Sequence, residues 1–178
     1  MSHQQQHDFV SLVKQQHFNF FTNKTVLEFG SHNINGSVRN FFQDCAYIGV
    51  DAGQGRDVDI VCIAHEYDMP EGTFDVVLSC EMFEHDPYWV KSFSNMLRLC
   101  KSQGLIFFSC ATTGRAKHGT LYCDPHSSPN TVDLGWEHYQ NLTEKDFRDN
   151  FNFDEVFDQY QFSVNRFCFD LYFWGIKK

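Results

Sequence analysis

What most constrains this chain is a succession of short, β-branched apolar runs, each closed by an acid, a glycine or a small polar residue. Thr25-Val26-Leu27-Glu28-Phe29 stops at Gly30, and Tyr47-Ile48-Gly49-Val50 stops at Asp51. Val58 to Ile63, Phe74 to Cys80 and Leu105 to Cys110 repeat the pattern. Runs this short that are apolar on both faces read as buried parallel strands. Between them apolar residues return at helical spacing: Val38, Phe41, Phe42 and Cys45, then Trp89, Val90, Phe93, Met96, Leu97 and Cys100. Asp86-Pro87 supplies an acceptor and a proline where the second of these helices should start, and Gly104 lies where it should have ended.

The flanks complete the outline. Asp8 to Phe21 carries Phe9, Leu12, Val13 and Phe20 on one side, an amphipathic N-terminal helix. A long polar stretch over 112–136 follows the fifth strand, and loops of that length in compact domains are usually functional. Thr143-Glu144-Lys145-Asp146 resembles a capping box opening a helix that ends near Phe151. From Asp154 to Lys178 aromatic and polar residues alternate, which predicts an antiparallel strand pair. Five strand–helix units followed by such a pair predict an α/β fold: a Rossmann-like three-layer αβα sandwich whose seven-stranded sheet is mostly parallel with an antiparallel last strand. One domain over 1–178 is expected, with a helix in 1–23 and a ligand-binding core in 24–178.

Composition narrows the partners. The chain is 42% hydrophobic and 17% aromatic, too apolar for disorder, yet no run approaches the roughly 20 apolar residues that cross a bilayer. The start MSHQQQHDF lacks the features of a secretory signal, so a cytoplasmic protein without a membrane role is expected. Seven cysteines, odd in number and set in apolar runs, read as reduced core thiols. A net charge of −9 disfavours bulk nucleic acid and leaves a small acceptor as the expected partner; whether the chain is a monomer or a homodimer is left open.

The chemistry concentrates after the first strand. Glu28 at a strand tip, then Gly30, Ser31 and Gly36 in a turn rich in glycine, serine and asparagine, would let a ligand approach the backbone. An acid here repels a phosphate and suits an ammonium group. Asp51, ending the second strand, can accept two hydrogen bonds from a ribose diol. An adenosine bearing a cationic amino-acid tail satisfies both acids, whereas a pyrophosphate dinucleotide satisfies only the second. The G-x-G-x-x-G pattern of dinucleotide sites is missing from the turn.

These segments resemble the class I S-adenosylmethionine-dependent methyltransferases, from about Lys24 to the C-terminus. Glu28-Phe29-Gly30-Ser31, Tyr47 to Asp51, Phe74 to Ser79 and Leu97 to Leu105 carry the likeness. The resemblance implies S-adenosyl-L-methionine as methyl donor. Glu28 would then hold its amino group, Gly30 and Ser31 would pass it by backbone, and Asp51 would hold the ribose hydroxyls. Ala64 and His65 would meet the adenine, and Ser79 would lie beside the cofactor. Where the family carries a second glycine soon after Gly30 this chain has His32, with Gly36 further along.

Cys80-Glu81-Met82-Phe83-Glu84-His85 resembles the E-x-x-E-H segment of ubiquinone-biosynthesis O-methyltransferases and of small-RNA 3′-end 2′-O-methyltransferases. That likeness makes His85 and Glu81 the candidate catalytic pair. It also implies a divalent cation at Glu81, Glu84, His85 and His138, although no residue is assigned to a metal outright. Arg115, His118 and His138 are candidate substrate contacts. The expected reaction is methyl transfer to an oxygen or nitrogen of a small-molecule or glycan-like acceptor. A non-catalytic cofactor-binding subunit and a metal-assisted RNA-end methyltransferase are the alternatives.

Overall fold

A computed structural model describes residues 4–178. Its centre is a seven-stranded sheet in the order β3-β2-β1-β4-β5-β7-β6, with β1 Thr25–Phe29, β2 Ala46–Asp51, β3 Ile60–Val61, β4 Phe74–Cys80, β5 Cys100–Ala111, β6 Phe157–Asn165 and β7 Asp170–Lys177. Pairings from β3 through β5 are parallel; β7 runs antiparallel to both β5 and β6. This is a Rossmann-like α/β sheet with the antiparallel last strand that the sequence predicts. The strand order reverses between β1 and β4, and in open α/β sheets ligands bind at the carboxyl ends of the strands at such a switch point.

Alternation along the strands separates two apolar layers. Val26, Val76, Leu78, Leu105 and Phe107 face α1 (Gln4–Gln16), which buries Phe9, Val10 and Val13 against them. Leu27, Phe29, Val77, Ile106 and Phe108 face the other way, onto α2 (Trp89–Leu99), α4 (Glu144–Asn150) and α5 (Phe153–Val156). Phe93, Phe108, Phe147, Phe153 and Phe173 stack or meet edge-on in this second layer, so the aromatic richness is spent on the core. No helix of the described residues is long and apolar enough to cross a membrane.

Three expectations need correction. The helix expected between β1 and β2 is a single 3-10 turn, Arg39–Phe41. Its polar side chains take the backbone donors instead: Asn33 Oδ1 accepts from the Gly36 N–H and Ser37 Oγ from the Arg39 N–H, bonds that compete with a helix ladder. The third strand shrinks to Ile60–Val61 at the sheet edge, because Val58 bonds back to Gly55 and Asp59 turns in to the Gly49 N–H. Strand–helix alternation is therefore not fivefold; α2, between β4 and β5, is the one multi-turn helix between parallel strands among the described residues. The third concerns Gly104, which does not follow a helix end but lies inside β5, where the register against β4 shifts.

Other signals fall close to the elements they announce, although α2 starts at Trp89 with Tyr88, not Asp86, at its N-cap. Asp86 accepts from the Tyr88 N–H at 2.7 Å and from the Ser92 hydroxyl, tying down the start of α2. Thr143 and Asp146 form a full capping box on α4. The long 112–136 connection is not bare loop: it holds a 3-10 turn, Pro125–Ser127, and a short helix α3, Pro129–Asp133.

Candidate active site

The carboxyl ends of β1, β2 and β4 open into one cavity of about 900 Å³ counted with its mouth. Glu28, Gly30, Ser31, Gly36, Asp51 and Ala64 all line it, as do Glu81 and His85 from the far side of the switch point. Six of the eight cofactor residues expected from sequence thus share a wall. His65 and Ser79 do not. The His65 ring packs on Tyr88 with centroids 4.7 Å apart, and Ser79 is wholly buried in β4 between Phe29 and Phe108 of its neighbours.

Gly30 has a left-handed φ of 77°, and a Cβ there would stand 2.8 Å from Met82 Cβ, so the turn can pass this close only without a side chain. The Gly30 and Ser31 N–H groups donate back to the Val50 carbonyl at 2.9 and 3.2 Å. His32, standing where the family has glycine, lies flat on Gly55, where a Cβ would come within 2.2 Å of its ring. The His32 N–H donates to Asp51 Oδ2 at 3.0 Å.

Glu28 is buried, and burial pushes its carboxyl up to about 7 although the Tyr47 hydroxyl donates to it at 2.8 Å and Arg39 stands near. A pocket acid held this close to neutrality favours a cationic ligand group, which would draw it back to the charged form. The ammonium of a methionine moiety fits that need, and the Asp51 carboxylate fits a ribose diol.

Opposite stands the E-x-x-E-H segment. Glu81 follows β4 directly with φ of 59°, a conformation a non-glycine side chain rarely adopts and one that recurs at functional positions. Its Oε1 accepts from the Ser109 hydroxyl at 2.7 Å, and Gln6 of α1 donates to that hydroxyl at 3.3 Å. Glu81 Oε2 is buried without a partner. His85 is buried with both ring nitrogens unpartnered, and burial holds its pKa well below the usual range, so the ring is neutral.

Behind His85, ligand atoms of Glu84, His85 and His118 lie within 4.8 Å of one another, all three residues buried. Both Glu84 oxygens lack partners, and burial together with the nearby Glu81 carboxylate pushes its pKa well up. His118 Nδ1 is 3.0 Å from the Ala116 carbonyl, an arrangement that puts the proton on Nδ1 and leaves Nε2 as a buried, unpartnered lone pair. A carboxylate and two imidazoles, one oriented by a backbone carbonyl, form a donor set suited to a divalent cation. His118 rather than His138 stands in this group, and Glu81 lies outside it as well.

Arg115 is tied into the scaffold through Nη1. Its guanidinium bonds Asp170 Oδ1 at 3.0 Å and the Cys168 carbonyl, anchoring the start of the long connection to β7. Residues that the sequence reading touched only as segments complete the cavity: Ser127 to Thr131 and Trp136 from the 112–136 connection, expected to form part of the acceptor site, with Met82 after β4 and Gln6 from α1. No motif marks the residues of the connection individually; they arrive because it folds back over the switch point.

The sequence model of a methyltransferase-domain family matches residues 1–164. The chain belongs to that family, and its relatives in structure are class I S-adenosylmethionine-dependent methyltransferases. No curated protein sequence matches it. Among solved structures it is similar to the 1,6-didemethyltoxoflavin N1-methyltransferase of Burkholderia thailandensis, solved with that acceptor and S-adenosylhomocysteine. The TM-score is 0.64 at 17% identity, over 94% of this chain and 76% of that one. It is also similar to YcgJ of Bacillus subtilis (TM-score 0.61, 12% identity, 97% and 99% covered). A phosphoethanolamine N-methyltransferase of Haemonchus contortus matches at TM-score 0.63 and 15% identity, over 96% of this chain but 52% of that one. At such identities these likenesses establish the fold.

Proposed function

We propose that this protein moves the methyl group of S-adenosylmethionine to an oxygen or nitrogen of a small-molecule or glycan-like acceptor, in the cytoplasm. The observation that carries this is the pairing of Glu28 and Asp51 on one cavity wall, joined by the Gly30 turn. An acid poised for an ammonium and an acid poised for a diol match the two ends of that donor. The family and the neighbours that bind S-adenosylhomocysteine support the same donor.

A sulfonium methyl is already activated, so the protein's main task is alignment. Holding donor and acceptor in line is worth roughly 7–11 kcal/mol of barrier. Glu81 and His85 lie across the cavity from Glu28, at the carboxyl end of β4. His85, neutral in its buried setting, takes the proton of a hydroxyl or ammonium acceptor, and Glu81 orients the acceptor through its unpartnered oxygen. The test is release of S-adenosylhomocysteine across a panel of amines, phenols and sugar hydroxyls. The expected result is turnover on one class, with His85→Ala lowering kcat by about 10²–10⁴-fold for a hydroxyl acceptor while donor binding persists. Binding of the donor with no turnover on any class would instead point to a non-catalytic subunit.

A second reading is favoured by the buried, unpartnered donors behind His85: Glu84, His85 and His118 hold a divalent cation. Such an ion supplies Lewis-acid polarisation of an acceptor oxygen. The measurement is metal content by mass spectrometry with melting temperature before and after chelation. Stoichiometric zinc or manganese that Glu84→Gln and His118→Ala remove, and His138→Ala does not, supports this ligand set. A metal-free protein whose melting temperature ignores added cations rejects it.

A further inference from the structure

Both carboxylate oxygens of Asp51 accept hydrogen bonds from the protein's own donors. Its Oδ1 accepts from Asn130 Nδ2 at 2.7 Å, and its Oδ2 accepts from the His32 N–H at 3.0 Å. Asn130 sits in α3, far along the chain in the connection after β5, and is 9% exposed although polar. Its side chain lies on Gly53, where a Cβ would stand 2.7 Å from Asn130 Cγ and 2.8 Å from Oδ1. The same connection is braced from the opposite side. A Cβ at Gly119 would come within 2.5 Å of the His85 ring and 2.8 Å of Ser128. Ser128 and Thr131 bond through their hydroxyls at 2.7 Å.

We propose that Asn130 is a positioning residue of the donor site, and that Asp51 has two roles: it accepts the ribose diol and it pins the 127–136 segment as the cavity's outer wall. The inference rests on the donor reading above for its first half alone. A carboxylate offers about four lone-pair sites. The Asn130 amide and the His32 N–H occupy two, which leaves two for the ribose hydroxyls. Donor and wall therefore share Asp51 without displacing each other. The ribose that binds there closes against a wall already held by the same carboxylate. Asn130 also fixes the Asp51 rotamer in advance, so less ordering remains to be done when the donor arrives.

The test is amide hydrogen exchange across 127–136, with and without S-adenosylhomocysteine, for wild type, Asn130→Ala and Gly53→Ala. Gly53→Ala crowds Asn130 off Asp51 without replacing either partner, and it keeps the test valid if Asn130→Ala folds poorly. Both variants should speed exchange in this segment in the ligand-free protein. Both should weaken S-adenosylhomocysteine by about five- to tenfold, the size of one lost hydrogen bond. Unchanged ligand-free exchange in both variants would overturn the pinning role. Faster exchange with unaltered affinity would overturn the positioning role. If wild type binds no S-adenosylhomocysteine, the donor reading fails, while the ligand-free exchange still decides whether Asp51 pins the wall.

Discussion

Buried beneath Tyr47 and the glycine turn, Glu28 titrates where a surface glutamate would long have been ionised. Burial raises it from 4.5 to about 7, against the pull of Tyr47 and Arg39. Its folded pKa lies above its unfolded one, so the folded state binds the extra proton. In the ligand-free protein this group therefore favours folding below about 4.5, and that contribution is lost as pH rises to about 7. Binding of an ammonium-bearing donor runs the other way, because it needs the carboxylate. Affinity for S-adenosylhomocysteine should rise several-fold between about pH 6 and 7.5, a range in which an α-amino group stays largely protonated. Glu28→Gln should bind more weakly with a flat profile; titration calorimetry across that range gives the answer. A wild-type profile that is also flat would mean Glu28 does not meet the ammonium.

At the scale of elements, one side chain ties three strands together at the end away from the cavity. Asp75 of β4 accepts from the Thr25 N–H of β1 at 2.9 Å, from the Thr25 hydroxyl at 2.7 Å and from Lys101 of β5 at 2.8 Å. Burial alone would raise its pKa, but these partners outweigh burial and hold it at about 2. The folded pKa is depressed, so the stabilisation is present above the unfolded value of 3.8 and is lost as pH falls through about 2. Asp75→Asn should cost about 2 kcal/mol near neutral pH and almost nothing at pH 2, as read from urea unfolding at both. An equal loss at both pH values would show that packing, not charge, sets the effect.

The same scale shows what the sequence discloses. The strands β1, β2 and β4, the capping box at Thr143 and most of the alternating tail are local patterns that form where they are read, although the third strand keeps only Ile60–Val61 and the tail opens on α5 before β6 starts at Phe157. The helix between β1 and β2 misleads, because Val38, Phe41 and Phe42 keep helical spacing while Asn33 and Ser37 divert the backbone donors. Arg115 is ambiguous in another way. Its partner Asp170 lies on a distant strand, and a one-dimensional reading cannot tell an ion pair from a substrate contact. Asn130 leaves no signal at all, since its meaning depends on a fold-back that only tertiary structure supplies.

Taken whole, the molecule is a methyltransferase core whose two apolar layers are filled largely by phenylalanine, leaving its polar buried groups concentrated at one end of the sheet. Glu28 and Asp51 stand on the donor side of the switch point, and Glu81, Glu84, His85 and His118 on the other. The net charge of −9 adds long-range repulsion of polyanions, which supports the proposed choice of a small acceptor. All of this depends on the donor occupying the cavity between β1 and β2. The most direct measurement is calorimetric titration with S-adenosylmethionine and S-adenosylhomocysteine of wild type, Glu28→Ala and Asp51→Ala. Single-site binding in the micromolar range, weakened at least tenfold by each substitution, is the predicted result. Binding that neither substitution alters, or no binding of either ligand to the folded wild-type protein, would contradict it.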